Sequence, residues 1–329
     1  MQYRKFGSTD LVVSEIGFGA WAIGGGAMIG NTAIGWGDAD DQQSIQAIHA
    51  ALDAGITFFD TADIYGLGHS EELLGKVLSA DKGVIIASKV GNVARNGQFT
   101  TDYTASHIRS ACEASLVRLK REQIDYYQLH TARLHHIQVG ECVEMMQQLQ
   151  QEGKIRFWGA SLNTFDPLPE ANFLMQQQMG SGFQGVLNII NQRALPVLKT
   201  GYSQGFGFIA RMPLQFGLLT GKFNNQTLFP ENDHRKQRVT PEIIEAVRQA
   251  TATVWSMCES YACNKAQLAL GYVLSYPEVS VVIPGIRTTA HVAGNTGNLI
   301  RMSVTDRTRI ENLRETVMEP LMEKIRVQG

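Results

Sequence analysis

A parallel α/β barrel of eight strand–helix units, a (β/α)8 or TIM-type barrel, is the fold class this sequence predicts. Three observations carry that reading. Short apolar, β-rich runs recur eight times: SEIGFG, TFFDTAD, GVIIASKVG, DYYQLHT, IRFWGASL, GVLNIIN, GFGFIARM and VSVVIPG. Segments with helical spacing, such as DDQQSIQAIHAALDAG, TASHIRSACEASLVRLKR and VGECVEMMQQLQQEG, stand between them. This alternation argues for parallel βαβ units covered on both sheet faces, which suits near-continuous apolar strands such as GVLNII. Finally, 329 residues without a low-complexity linker fit one closed barrel of ~250 residues plus insertions. The expectation is a single domain over 1–329.

The elements follow in order. Residues 2–13 (QYRKFGSTDLVV) read as a hairpin turning around Gly7–Asp10. The loop at 23–40 is glycine-rich, and Asp40 or Asp41 is placed to cap the helix after it. Trp36 and Met28 in that loop can line a substrate pocket, or the loop can be a mobile segment with no specific role. GLGHSEELLG reads as a turn with Ser70 capping a helix, whose first turn favours Glu71 and Glu72. Residues 213–240 form a long polar loop after the seventh strand, where barrel loops carry function.

Composition narrows the function classes. Hydrophobic content of 44% with 18% charged residues is typical of a globular enzyme. A net charge of −2 gives no electrostatic reason to expect nucleic acid or a membrane surface as partner. No apolar run approaches the ~18 residues of a membrane span, and Met1 leads into polar MQYRKFGSTD, so a cytoplasmic location is expected. Cys112, Cys142, Cys258 and Cys263 form no CxxC pair and lie in segments that read as helices. Reduced thiols in packing positions are therefore expected. No segment announces an oligomeric interface.

Asp60, Tyr65, Lys89 and His130 sit at or just past the C-terminal ends of three of the strand runs. In a parallel barrel those ends converge on one mouth, so residues distant in sequence meet in one pocket. A Lys beside a Tyr lowers a phenol pKa that starts near ~10, making the hydroxyl a general acid. Lys89 at the end of an apolar strand needs a partner against desolvation, and Asp60 is the nearest candidate. A purely structural ion pair is the bland reading of that contact. His130, following Tyr126, Tyr127 and Leu129, is either a satisfied core histidine or a hydrogen-bond donor to a substrate oxygen. HTARLHH suggests no metal site, since three or four converging ligands are needed and adjacent His135 and His136 point apart. GFGAWA loosely fits a dinucleotide fingerprint, but more glycines follow where that motif needs a helix, and the next strand ends too far on.

The run GITFFDTADIYGLGHSEELLGKVL, then SKVG and DYYQLH, resembles the aldo-keto reductase superfamily. The likeness extends from GFGAW to the Asn295 region. It implies a (β/α)8 barrel whose N-terminal hairpin lids the barrel bottom, and NADPH-dependent reduction of aldehydes and ketones through an Asp60/Tyr65/Lys89/His130 tetrad. The cofactor is then NADP(H), laid across the mouth. The resemblance places Ala20 and Trp21 at the nicotinamide ribose, with Asp60 beside them, and Ser161 and Gln184 at the carboxamide. It places RMPLQFGLLTGKF (Arg211, Met212, Pro213, Leu214 and onward) around the pyrophosphate. Lys222 either adds charge there or is a solvated loop lysine. IPGIRTTAHVAGN matches the adenosine end, with Gly285, Arg287, His291 and Asn295. Arg287 suits a 2′-phosphate, and Thr289 is placed to cap the following helix.

Some positions depart from the family pattern. Arg211 stands where many members stack an aromatic residue on the nicotinamide; a guanidinium also stacks but brings a positive charge. Leu162 replaces a common Asn, leaving Asn163 to compensate, and His291 and Gly294 replace Gln and Glu near the adenine. The implied reaction is hydride transfer to a small-molecule carbonyl, with Tyr65 protonating the oxygen. The alternative is a cofactor-loaded redox-sensing protein like the potassium-channel beta subunits that share the tetrad.

Overall fold

The structure, a computed structural model, describes residues 1–328. The eight expected strands form one parallel sheet: Phe18–Gly19, Phe58–Asp60, Ile85–Val90, Ile124–His130, Ile155–Ser161, Gly182–Val186, Gly207–Arg211 and Val281–Ile283. Each pairs with the next in chain order. The ring closes through parallel bridges Ile16↔Val282 and Gly19↔Gly285, with Gly17 N donating to Val282 O at 2.8 Å.

Period-two alternation sorts side chains between the two faces of the sheet. Phe58, Ile85, Ala87, Tyr126, Ile209 and Val281 pack together in the barrel interior, while Phe59, Ile86 and Tyr127 join the larger core under the helices. The same parity carries Asp60, Lys89, Gln128 and His130 inward at the upper ends of their strands. Above the apolar filling, the interior turns polar.

The N-terminal hairpin, Tyr3–Lys5 paired antiparallel with Val12–Ser14, closes the opposite end. Phe6 drives its ring, 0% exposed, against Tyr126 at 4.8 Å between centroids. Gly182 and Gly207 begin their strands at this ring, and a Cβ on Gly207 would come within 2.6 Å of it. The plug therefore requires glycine there.

Several local expectations need correction. Gly68, not Ser70, precedes helix His69–Leu78; the Ser70 hydroxyl instead bonds the Thr61 hydroxyl at 2.8 Å and donates to Ala20 O at 3.0 Å. Thr288, one residue earlier than expected, caps helix Thr289–Thr296 by accepting from His291 N. Asp40 does cap helix Asp41–Asp53. All four cysteines are free, but Cys263 lies in a turn before helix Lys265–Leu274 rather than in a helix. The 213–240 region is more ordered than a loop, holding a 3-10 turn at Gln215–Thr220 and a helical turn at Arg235–Arg238. No helix among the described residues is long and apolar enough to cross a membrane.

Candidate active site

The mouth is built around Lys89. Its side chain is fully buried, and its three ammonium protons have three acceptors. Nζ donates to Asp60 Oδ1 at 2.6 Å, Thr61 O at 2.7 Å and the Tyr65 hydroxyl at 3.1 Å. Burial opposes the ammonium charge, but Asp60 and Tyr65 outweigh it and hold the Lys89 pKa above its ordinary value. Asp60 Oδ2 accepts from Gln184 Nε2 at 2.7 Å and Gln128 Nε2 at 3.3 Å, so the carboxylate is paired on both oxygens. Gln128 was legible as the inward position two residues before His130.

Tyr65 opens a one-turn 3-10 segment in which Gly66 and Leu67 take left-handed backbone angles, φ 58° and 55°. A Cβ at 66 would strike the Gly24 carbonyl, so the glycine of DIYG lets the Trp21 loop lie against the tyrosine. The Trp21 ring meets Tyr65 edge-on at 4.6 Å and the His130 ring stands 5.9 Å away. Because the hydroxyl accepts from Lys89, its own proton is left to point into the mouth. The expected lowering of the Tyr65 pKa is not what the site does: burial pushes the phenol up, and Lys89 offsets only part of that. A buried Tyr keeps its proton at neutral pH.

His130 is held by its main chain, whose carbonyl accepts from Tyr103 and Thr131 hydroxyls at 2.6 Å each. Burial, with Lys89 and Arg211 nearby, drives its imidazole pKa well below the usual value, so the ring is neutral. The ring Nδ1 is buried without a partner, as are Trp21 Nε1, Trp36 Nε1 and Arg211 Nε. Other unpartnered buried atoms are spread through the barrel, such as Tyr127 OH and Gln192 Oε1, but these four belong to residues of the mouth and its loops and are free to meet a polar ligand.

The other expected contact residues fall around this centre. Ser161 is buried, its Cα in register with His130 on one side and Gln184 on the other. Gln184 gives one amide N–H to Asp60, which leaves its second N–H and its oxygen for a carboxamide. Asn163 commits its Oδ1 to Phe165 N and Asp166 N at 3.0 Å each, leaving only its Nδ2 to stand in for the missing asparagine. Arg211 reaches across the mouth, donating to Leu162 O at 3.1 Å and Thr164 Oγ1 at 3.0 Å. After it, Met212, Gln215 and Phe216 all take left-handed angles, each costing ~1–3 kcal/mol. Asn188 holds this segment, with Nδ2 on Met212 O at 2.9 Å and on Gln215 Oε1 at 2.8 Å. Pro213 is buried and Leu214 half-buried between them.

At the far end, burial lowers the His291 pKa, and Lys222, Arg287 and Arg235 push the same way. Arg287 Nη1 donates to Trp36 O at 2.9 Å and Asp38 O at 3.2 Å, leaving the rest of its fork uncommitted. Asn295 is buried on the helix capped by Thr288. Arg235 was not foreseen. Asp233, 1% exposed, grips it, and its guanidinium lies 4.8 Å from the centroids of both Trp36 and Phe229. Trp36 itself packs on Gly285 and bridges Asp233, tying the 23–40 loop to the 213–240 region, while Met28 stays exposed. A hairpin within the first loop, Ala27–Ile29 with Thr32–Ile34, touches the tip of a second, Asn92–Arg95 with Gln98–Thr101. Among the described residues no three His, Cys, Asp or Glu side chains converge as a metal site.

An eight-stranded parallel barrel with polar side chains gathered at its mouth is the architecture of a family of barrel oxidoreductases. The model of the aldo/keto reductase family matches residues 15–315, and the chain belongs to that family. It is 32% identical over 310 residues to the aldo-keto reductase YhdN of Bacillus subtilis (87% of this chain, 85% of the relative). It is 27% identical to an NADH-specific methylglyoxal reductase of Escherichia coli (96% and 99%). The glycerol dehydrogenase AKR11B4 of Gluconobacter oxydans superposes with a TM-score of 0.79 over 94% of both chains, at 28% identity.

Proposed function

We propose that this protein reduces an aldehyde or ketone to the alcohol with NADP(H), and that Tyr65 is the proton donor. The carrying observation is the Lys89 ammonium bonded at once to Asp60 and to the Tyr65 hydroxyl. When bound, the nicotinamide supplies the hydride. Tyr65 gives its proton to the carbonyl oxygen, since Lys89 fixes the hydroxyl's lone pair and so directs its O–H outward. Lys89 stabilises the phenolate left behind, and Asp60 keeps the ammonium charged and in place. Neutral His130 orients the carbonyl oxygen with a ring N–H.

The residues present fit the cofactor. Trp21 Nε1, His130 Nδ1 and Arg211 Nε are unpaired at the mouth, and Ala20, Trp21, Ser161, Gln184 and Arg211 would receive the nicotinamide end. Met212, Pro213 and Leu214 would border the pyrophosphate. Gly285, Arg287, His291 and Asn295 would hold the adenosine, with Lys222 and Arg235 adding charge. Three cations near one histidine favour a 2′-phosphate and hence NADP(H) over NAD(H), although the E. coli methylglyoxal reductase is named as NADH-specific.

The test is oxidation of NADPH, and separately NADH, followed at 340 nm with a panel of aldehydes for wild type and Tyr65→Phe. Turnover with NADPH that the substitution abolishes supports the reading. Tight cofactor binding without turnover of any carbonyl would favour a cofactor-sensing protein instead.

A further inference from the structure

The polar mouth carries an unbalanced charge. Asp60 and Lys89 neutralise each other across 2.6 Å. His130 is neutral and Tyr65 holds its proton. Arg211 has no such counterpart: its partners are a carbonyl, a hydroxyl and the Met212 sulfur, all uncharged. No carboxylate among the described residues lies within ion-pair distance of it, and the acid whose field it feels is Asp60, already bound to Lys89. A guanidinium does not give up its proton in a protein. The site therefore holds a net positive charge, partly shielded from water.

A ligand entering such a site is sorted by its own charge. Resting on the proposed function, the nicotinamide C4 must lie close to a carbonyl whose oxygen meets Tyr65, and Arg211 is near enough to act electrostatically on Tyr65, Asp60 and His130. A ring placed beside Tyr65 and His130 is therefore within the field of Arg211, whose guanidinium bonds Leu162 O next to Ser161. The oxidised nicotinamide ring is a cation and the reduced ring is neutral. The rest of the cofactor is identical in the two forms, so its phosphates cancel from the comparison.

We infer that Arg211 makes this site discriminate between the redox states of the nicotinamide, holding the reduced cofactor more tightly than the oxidised one. Two like charges ~8 Å apart at an effective dielectric of ~30 oppose each other enough for about tenfold in affinity. By linkage, a tenfold preference makes the bound couple more oxidising by about 30 mV. Hydride return from alcohol to cofactor is then favoured on the protein by the same factor. Arg211 thus sets the hydride equilibrium on the protein as well as cofactor binding, while the overall equilibrium between carbonyl and alcohol is unchanged.

Calorimetric titration of the full chain with NADPH and NADP+, and with NADH and NAD+, tests this without any substrate. The measured quantity is the ratio of oxidised to reduced dissociation constants in wild type, Arg211→Lys and Arg211→Gln. The expected result is a wild-type ratio above one, kept by the lysine variant and reduced about tenfold by the glutamine variant. A wild-type ratio at or below one overturns the inference even if neither variant folds. An unchanged ratio in Arg211→Gln overturns it too, and in both cases the proposed function stands. Failure of every nicotinamide form to bind wild type sinks the proposed function and this inference together.

Discussion

Lys89 and Asp60 stand 2.6 Å apart with their side chains 0% and 3% exposed, so each is the opposite charge that lets the other be buried as an ion. Breaking such a pair from one side leaves a buried, uncompensated charge. Lys89→Met is expected to lower unfolding stability by about 3–5 kcal/mol, together with loss of turnover. Removing both charges in Asp60→Asn/Lys89→Met should cost less than the sum of the single changes. Urea unfolding of the three variants measures the coupling, and strict additivity would mean the pair is not held as the geometry indicates.

Tyr65 separates chemistry from stability. Lys89 keeps two of its three acceptors in Tyr65→Phe, so the unfolding free energy should change by no more than ~1 kcal/mol. Turnover should fall by about 10²-fold or more. Burial raises the phenol pKa above its usual value of about 10, so the protonated donor persists through neutral and mildly alkaline pH. The kcat/KM for carbonyl reduction should therefore show no loss assignable to Tyr65 below pH ~9. A wild-type profile falling with an apparent pKa near 7 or 8, and absent from the phenylalanine variant's residual activity, would contradict this.

The sequence carried the barrel because inward and outward residues alternate along apolar runs: Phe58–Phe59–Asp60 and Ile85 to Val90 declare both their strand and their facing. Tyr65 was legible from DTADIYG, whose glycine the packing against Gly24 demands. The hairpin Asn92–Arg95/Gln98–Thr101 went unread although its Asn96–Gly97 turn, with both residues at positive φ, is a strong hairpin signal. The Arg235 clamp was hidden for a different reason. It depends on Trp36 and Asp233 meeting from loops nearly 200 positions apart, which no local pattern records. The sign of the Tyr65 shift was misjudged because it rests on depth of burial, and only the fold sets that.

The bottom plug should be independent of the mouth. Phe6 fills the interior between Tyr126 and the bare backbones of Gly182 and Gly207. Phe6→Ala is expected to cost about 3–5 kcal/mol through the cavity left behind, with kcat unchanged under conditions where the variant stays folded. Gly207→Ala should also destabilise, because its Cβ would strike the Phe6 ring, and the smaller ring-free Phe6→Leu should partly relieve it. Thermal melts beside turnover measurements check both, and a kcat change in folded Phe6→Ala would link the two ends of the barrel.

His234, in the part of the 213–240 region that packs as a strap against Trp21, supplies a pH dependence beside the mouth. Its ring lies between Trp21 and Phe216, at 5.5 and 4.9 Å, with Nδ1 2.9 Å from Gly35 O. Burial lowers its pKa from 6.5 to about 4, and the neighbouring Arg238 and Arg235 push the same way. Between these two values the unfolded chain binds a proton that the folded protein refuses, so acidification favours unfolding. Stability from this group is fully present above pH ~6.5, declines as pH falls toward about 4, and changes no further below it. The full loss is up to about 3 kcal/mol, and His130, also held well below its usual value, adds in the same direction. His234→Gln should flatten the wild-type slope of unfolding free energy between pH 6.5 and 4.5. Parallel denaturant titrations at four or five pH values would read that slope, and equal slopes in the two proteins would mean the strap histidine is open to solvent and free to charge.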